Sequence, residues 1–181
     1  MSEGFWVFGY GSLMWQPGFR YEERCVAQLP DHRRSFCLDS VRYRGTHEKP
    51  GLVLALEPKQ GMLCHGVAYR VGAEDAVETH AYLRDREMDR DSYFETFQTL
   101  TLADKRRVEA LCYVINPNNP DYRADLSLEQ KAQIIAEAVG PAGANSAYLL
   151  NTHQDLQRMQ VEDAEVEALV TRVEALRREA R

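Results

Sequence analysis

The sequence predicts an α+β fold: a small mixed, mainly antiparallel β-sheet or barrel with flanking helices. Three observations predict it. Strand-like apolar runs dominate the first part of the chain, one helical stretch interrupts them, and helical patterns close the sequence. The 181 residues suit a single domain over 1–181, long enough to bury a core without disulfides or metal. No internal repeat, low-complexity tract or domain linker is visible.

Phe5-Trp6-Val7-Phe8 is an aromatic and β-branched run stopped by Gly9, the pattern of a buried strand. Cys25 to Leu29 and Arg33 to Leu38 read as two further strands separated by Pro30-Asp31. Leu52 to Leu56 is a continuous apolar run. Pro58-Lys59-Gln60-Gly61 has the composition of a turn, and Met62 to Val71 returns as a strand, which predicts a hairpin. The first helix begins near Gly72, with Ala76, His80, Leu83 and Glu87 on one helical face. Tyr93 to Leu102 and Val108 to Ile115 are strand-like, and Asn116 to Pro120 form a loop. Ser127 is a good N-cap for a helix to about Val139, ended by Gly140-Pro141-Ala142-Gly143. Asn145 to about Gln157 and Val161 to Arg178 complete the helices. Val166, Leu169, Val173 and Leu176 make a stripe too short for a coiled coil, so that helix is expected to pack on its own domain.

Composition narrows the function. Hydrophobic content of 44% with nine Tyr, six Phe and two Trp argues against disorder. A net charge of −6 disfavours nucleic acid and anionic membrane surfaces as partners, while leaving room for a local pocket that takes a small anion. Cys25, Cys37, Cys64 and Cys112 form no C-x-x-C pair and read as reduced thiols. The acidic start Met1-Ser2-Glu3-Gly4 and its short apolar run do not fit a signal peptide, and no stretch is long enough to span a bilayer. A cytoplasmic protein is expected.

Two features suggest chemistry. The first is Gly9-Tyr10-Gly11-Ser12-Leu13-Met14, directly after the first strand. Paired glycines permit unusual backbone angles, and such a turn aims successive N–H groups into a concavity that binds an anion. It is neither a dinucleotide fingerprint, since Met14 takes the third glycine position, nor a P-loop. On spacing alone, a tight turn ending the strand is the plainer reading. The second is Glu87, an acid on an apolar helical face. Its neighbours Arg84, Asp85, Arg86 and Asp89 are more easily placed on the wet side. Burial and a helix C-terminus both raise a carboxyl pKa, which suits a general base near neutral pH. A solvated helix-end acid, or one paired with a neighbouring arginine, is the plainer reading of Glu87 alone.

Other groups are weaker candidates. The five histidines lack metal-ligand spacing, so no metal site is expected, and His80 reads as a satisfied helix residue. No serine sits in a G-x-S-x-G elbow. Arg42-Tyr43-Arg44-Gly45 followed by Lys49-Pro50-Gly51 is a basic cluster suited to a carboxylate, with a solvated loop as the plainer alternative.

Taken in order, these segments resemble the ChaC family of γ-glutamylcyclotransferases, from Phe5 to about Asn151. Trp6 to Trp15 looks like the family's opening strand and substrate loop. Arg44-Gly45 with Lys49-Pro50-Gly51, and Gly66-Val67-Ala68-Tyr69-Arg70, are similar to later family segments. Tyr82-Leu83 with Arg86-Glu87 matches the stretch bearing the family's catalytic glutamate. Asn119 to Tyr122, Gly140 to Asn145 and Tyr148-Leu149 follow in order. Ala147 departs from the pattern, standing where much of the family has an acid. The segment from Met88 to Tyr93 is less glycine-rich than in some members.

The resemblance implies a γ-glutamylcyclotransferase-like fold and a lyase that breaks a carbon–nitrogen bond in glutathione, releasing 5-oxoproline and cysteinylglycine. It implies Glu87 as the catalytic acid–base group. Gly9, Tyr10, Gly11, Ser12, Leu13, Met14, Arg44 and Tyr148 would bind substrate. No cofactor and no metal are expected. The partners implied are the small-molecule substrate alone, with the protein a monomer or weak homodimer. The alternatives are the same chemistry on other γ-glutamyl peptides or amines, a non-catalytic regulatory binding module, and a phosphate-binding protein using the Gly9–Ser12 turn, against which the missing P-loop lysine counts.

Overall fold

The computed structural model describes residues 4–88 and 91–180. The acidic start at Met1–Glu3 and the wet-side placement expected of Asp89 lie outside the described residues, as does Arg90. The chain forms two compact units, one of residues 1–34 and 56–119 and the other of residues 35–55 and 120–181.

The first unit is built on strands β1 (Phe5–Gly9), β2 (Glu23–Ser40), β3 (Gly51–Val71), β4 (Tyr93–Leu102) and β5 (Arg107–Ile115), with β2 and β3 also contributing to the second unit. They close a barrel in the order β1-β3-β2-β4-β5. The pairing is mainly antiparallel: Phe5 faces Val71, Ala27 faces Leu102 and Tyr93 faces Ile115. One pair is parallel, β1 with β5, where Trp6 faces Ala110 and Val7 faces Leu111. Val7, Phe8, Tyr69, Leu100, Leu102, Leu111 and Tyr113 are among its most deeply buried residues. Helix α1 (Ala76–Glu87) lies between β3 and β4 in sequence and buries Ala76, Thr79 and Leu83. The α+β class and the mixed barrel are those expected.

Two strands differ from expectation. Pro30-Asp31 does not divide a strand, and Pro58 to Gly61 is not a hairpin turn. β2 and β3 run continuously for 18 and 21 residues. The left-handed conformations that would serve a turn are present, at Asp31 (φ 55°) and Gly61 (φ 78°). They face each other, with Gly61 N–H donating to Asp31 Oδ1 at 2.8 Å. A side-chain acceptor thus satisfies the backbone where the strand departs from extended geometry, and pairing continues beyond it.

The second unit holds α2 (Leu128–Glu137), a two-residue hairpin of β6 (Val139–Gly140) and β7 (Gly143–Ala144), α3 (Asn145–Arg158) and α4 (Ala164–Glu179). Ser127 caps α2 as expected and forms a reciprocal capping box with Gln130. Helix α2 stops at Glu137, because Ala138 is extended and leads into the hairpin. The α4 stripe packs within its own unit, burying Val166, Leu169 and Val173 against α2 and α3. Beside it lies a polar cluster. Lys131 Nζ donates to Ser35 Oγ and to Glu165 Oε1, both at 2.9 Å, and Phe36 N–H donates to the same carboxylate oxygen at 3.0 Å. All four cysteines are free thiols. Burial raises the pKa of Cys112, so its thiol stays protonated.

Candidate active site

The helical face expected of α1 is present, and it delivers Glu87 to the helix's last position. Leu83 is fully buried, and the Glu87 side chain is only 16% exposed. Burial raises the Glu87 pKa above the ordinary carboxylate value, and the Arg86 guanidinium opposes that rise, with Nε 3.2 Å from Oε1. Glu87 is therefore not a solvated acid, and it does pair with a neighbouring arginine, as its plainer reading allowed. Its negative charge also reaches Tyr113 on β5, whose hydroxyl pKa is raised by burial first and by Glu95 and Glu87 after it.

The loop expected to bind substrate follows β1 as a single 3-10 turn, Ser12–Met14. Met14 N–H closes on Gly11 O at 2.8 Å and Gln16 N–H on Ser12 O at 2.9 Å. The opening N–H groups of such a turn have no acceptor within it. The glycines work differently from expectation. Neither Gly9 nor Gly11 takes a positive φ; among the described glycines Gly18, Gly61 and Gly143 do. Gly9 sits close to the turn, and a Cβ there would lie 3.0 Å from Leu13 Cβ, tighter than ordinary van der Waals contact. On β3, a Cβ at Gly66 would lie 2.4 Å from Gly9 O and 2.7 Å from the Phe8 ring.

Three side chains from distant parts of the sequence hold this loop. Arg34 on β2 donates to Tyr10 O at 2.6 Å. Tyr69 on β3 donates to Leu13 O and Met14 O at 2.9 and 3.0 Å. Arg86 on α1 donates to Ser12 Oγ at 2.8 Å and to Gln16 O at 2.9 Å. Tyr10 itself donates from its hydroxyl to Tyr113 O at 3.0 Å. The loop and Glu87 are thus joined through Arg86, which contacts both. Sequence reasoning singled out neither Arg34 nor Tyr113 and treated Tyr69 only as part of a motif.

A second group was also missed. Glu95 on β4 accepts from Tyr113 Oη at 3.0 Å and from Arg84, and its Oε1 lies 3.0 Å from His80 Nε2. His80 is satisfied in the helix, as expected, but by an acid fifteen residues away. An acid inside a strand-like run, Tyr93 to Leu102, was the available signal. Among the described residues no cluster of three or more His, Cys, Asp or Glu is placed to hold a metal ion. None of their helices is long and apolar enough to cross a membrane.

In the second unit the structure brings Arg44 and Tyr148 together, with the guanidinium carbon 5.5 Å from the ring centroid. Arg44 also donates to Ala142 O at 2.7 Å, and the Phe36 ring meets Tyr148 edge-on at 5.8 Å. The motif segments around them pack backbone to backbone. A Cβ at Gly45 would fall 2.1 Å from Gly51 N, and one at Gly140 would fall 2.4 Å from Tyr43 O. Asn145 pairs with both the N–H and the carbonyl of Leu52, at 2.6 and 2.7 Å. Lys49 is exposed and pairs with Glu137 at 2.8 Å.

A family model described as ChaC-like protein matches residues 5–176. A glutathione-specific γ-glutamylcyclotransferase of Escherichia coli (strain K12) is 38% identical over 94% of this chain and 73% of its own. A protein of Arabidopsis thaliana named γ-glutamylcyclotransferase 2-3 is 32% identical over 93% of this chain and 87% of its own. The crystal structure of a γ-glutamylcyclotransferase specific to glutathione from yeast superposes with a TM-score of 0.90. It is 25% identical and covers 97% of each chain, so the two share one fold.

Proposed function

Because the chain belongs to the ChaC-like protein family, we propose that it is a glutathione-specific γ-glutamylcyclotransferase, a lyase that degrades glutathione to 5-oxoproline and cysteinylglycine. The observation that carries this reading is Glu87. It is a mostly buried acid at a helix end, tied through Arg86 to the loop that ends β1.

The substrate supplies its own nucleophile. The α-amine attacks the γ-carbonyl carbon, a C–N bond closes the five-membered lactam, and the amide bond to cysteine breaks. The enzyme has to fold the γ-glutamyl arm into an attacking shape and move protons. The α-ammonium gives up two protons in becoming the lactam N–H, and the departing amide nitrogen takes up two in becoming an ammonium. Glu87 relays these protons, first as base and then as acid, so the reaction balances without a co-reactant. A carboxyl whose pKa is raised by burial is a better acid–base match to neutral pH than a solvated one.

The turn from Gly9 to Met14 binds the γ-glutamyl end through its opening N–H groups, which also stabilise the developing oxyanion. Arg44 and Tyr148 contribute to substrate binding, Arg44 through its charge and Tyr148 by holding the guanidinium. No cofactor takes part. A single ChaC-like domain over 1–181 is supported by the family match across 5–176. The net charge of −6 supports the view that nucleic acid and anionic membranes are not partners. We read the protein as cytoplasmic and as a monomer or weak homodimer.

Purified protein incubated with reduced glutathione and EDTA should yield 5-oxoproline and cysteinylglycine by mass spectrometry. Activity lost to chelator and restored by zinc would overturn the cofactor-free chemistry. A panel of other γ-glutamyl peptides and amines would test the specificity.

A further inference from the structure

Arg34 lies on β2 and is 4% exposed. A buried guanidinium is unfavourable unless its donors are well placed. Here they reach the glycine loop at both ends and an adjacent strand. One nitrogen donates to Tyr10 O at 2.6 Å and lies 3.6 Å from Met14 Sδ, and another donates to His65 O. Tyr10 and Met14 bracket the turn assigned to the γ-glutamyl group.

The carbonyl that Arg34 grips belongs to the Tyr10–Gly11 peptide, and the opposite end of that peptide is the Gly11 N–H. A charge-assisted hydrogen bond to a carbonyl polarises the whole peptide unit and makes its N–H a stronger donor. A fixed positive charge close behind an anion-binding turn acts in the same direction on negative charge that develops there.

On the reading of this loop given above, we infer that Arg34 is a positioning residue of the cyclisation. It fixes the Tyr10–Gly11 peptide and strengthens the Gly11 N–H toward the oxyanion of the transition state, without touching substrate. The planar fork is essential, because a lysine carries the charge without spanning several acceptors at fixed angles.

The test compares wild type, Arg34→Lys and Arg34→Gln for kcat, KM and melting temperature with glutathione. Removing an oxyanion-hole donor outright costs roughly 10²–10³ in kcat, so weakening one should cost about tenfold or more in Arg34→Gln. KM should change far less than kcat, and Arg34→Lys should fall between Arg34→Gln and wild type. A folded Arg34→Gln enzyme with kcat within about twofold of wild type would overturn the inference, since that is far short of the loss expected. If Arg34→Gln does not fold, Arg34→Lys decides. Wild-type kcat in that variant rejects the role, and a kcat loss beyond the loss of folded protein supports it. Wild-type protein that turns over no γ-glutamyl compound overturns the enzymatic reading and this inference with it. Active wild type with indifferent Arg34 variants overturns the inference alone.

Discussion

Arg86 places its Nε 3.2 Å from Glu87 Oε1 while another nitrogen of the same guanidinium donates to Ser12 Oγ at 2.8 Å. One side chain therefore sets both the charge beside the buried acid and the position of the turn.

Glu87→Gln should lower kcat by at least the ~10²–10⁴ typical of acid–base groups, with KM little changed. Glutamine keeps the volume and can still accept from Arg86, but it takes up no proton at working pH. Asp85→Asn and Asp91→Asn, both at exposed positions, are the controls and should stay near wild type. Steady-state kinetics with glutathione checks all three.

The same variant has a signature in stability. Burial raises the folded-state pKa of Glu87 above its ordinary value of 4.5, so the folded protein binds the proton more tightly than the unfolded chain. Stability is then lost as pH rises from the unfolded value through the folded one. Glu87→Gln should melt above wild type at pH 7.5, by about 2–4 °C for each 1 kcal/mol relieved, and the gap should close near pH 4. Calorimetry at the two pH values is the check.

Arg86→Gln should move the acid limb of the kcat/KM profile to higher pH. The proposed base must be ionised to act, so activity should fall as pH drops through the Glu87 pKa. Removing the Arg86 charge, which opposes the burial effect, raises that pKa further. Tyr113 on β5 feels the Glu87 charge and has its hydroxyl pKa raised, so it stays neutral across the profile and does not add a limb. A lower kcat/KM with an unmoved limb would leave Arg86 as an anchor of the turn only.

Gly66→Ala should destabilise the first unit by about 1–3 kcal/mol, the usual cost of overpacking. The new Cβ would meet the Gly9 carbonyl at 2.4 Å, a backbone atom that cannot rotate aside. Because Gly9 opens the turn proposed to bind substrate, activity should fall with stability. Urea unfolding and kinetics on one sample measure both.

Lys131→Met removes the cation from the Ser35–Glu165 cluster and leaves a carboxylate with neutral donors. The loss should be about 2–4 kcal/mol, since stripping one partner from a buried pair leaves an uncompensated charge. Adding Glu165→Leu should recover part of it in denaturant titrations.

Legibility followed how locally each feature is encoded. The inward placement of Glu87 was visible because its helical face needs only Ala76, His80 and Leu83 for definition, whereas its role came from the family resemblance. The Ser127 cap was visible for the same reason. The unbroken β2 and β3 were not, because Pro30-Asp31 and Pro58 to Gly61 carry real turn chemistry. That chemistry is answered by Asp31 Oδ1 meeting Gly61 N–H from a different strand. The loop's clamps were invisible because their partners are far apart in sequence. Arg34 and Tyr10 are 24 positions apart, Tyr69 and Leu13 are 56, and Tyr10 and Tyr113 are 103. Arg44-Gly45, Lys49-Pro50-Gly51 and Gly140 to Asn145 were seen as separate words. Their reason, mutual backbone contact at Gly45, Gly51 and Gly140, exists only in three dimensions.

Residues 35–55 belong to one compact unit while the chain on both sides of them belongs to the other. During synthesis this segment leaves the ribosome well ahead of the helices it must pack against. Leu52 waits 93 residues for Asn145, about 5–20 s at ordinary elongation rates. For that interval Phe36 and Leu52, buried in the finished protein, have no helical partners. Chains that stop near Asn119 release this apolar stretch permanently uncovered, so they are the species to expect in the insoluble fraction.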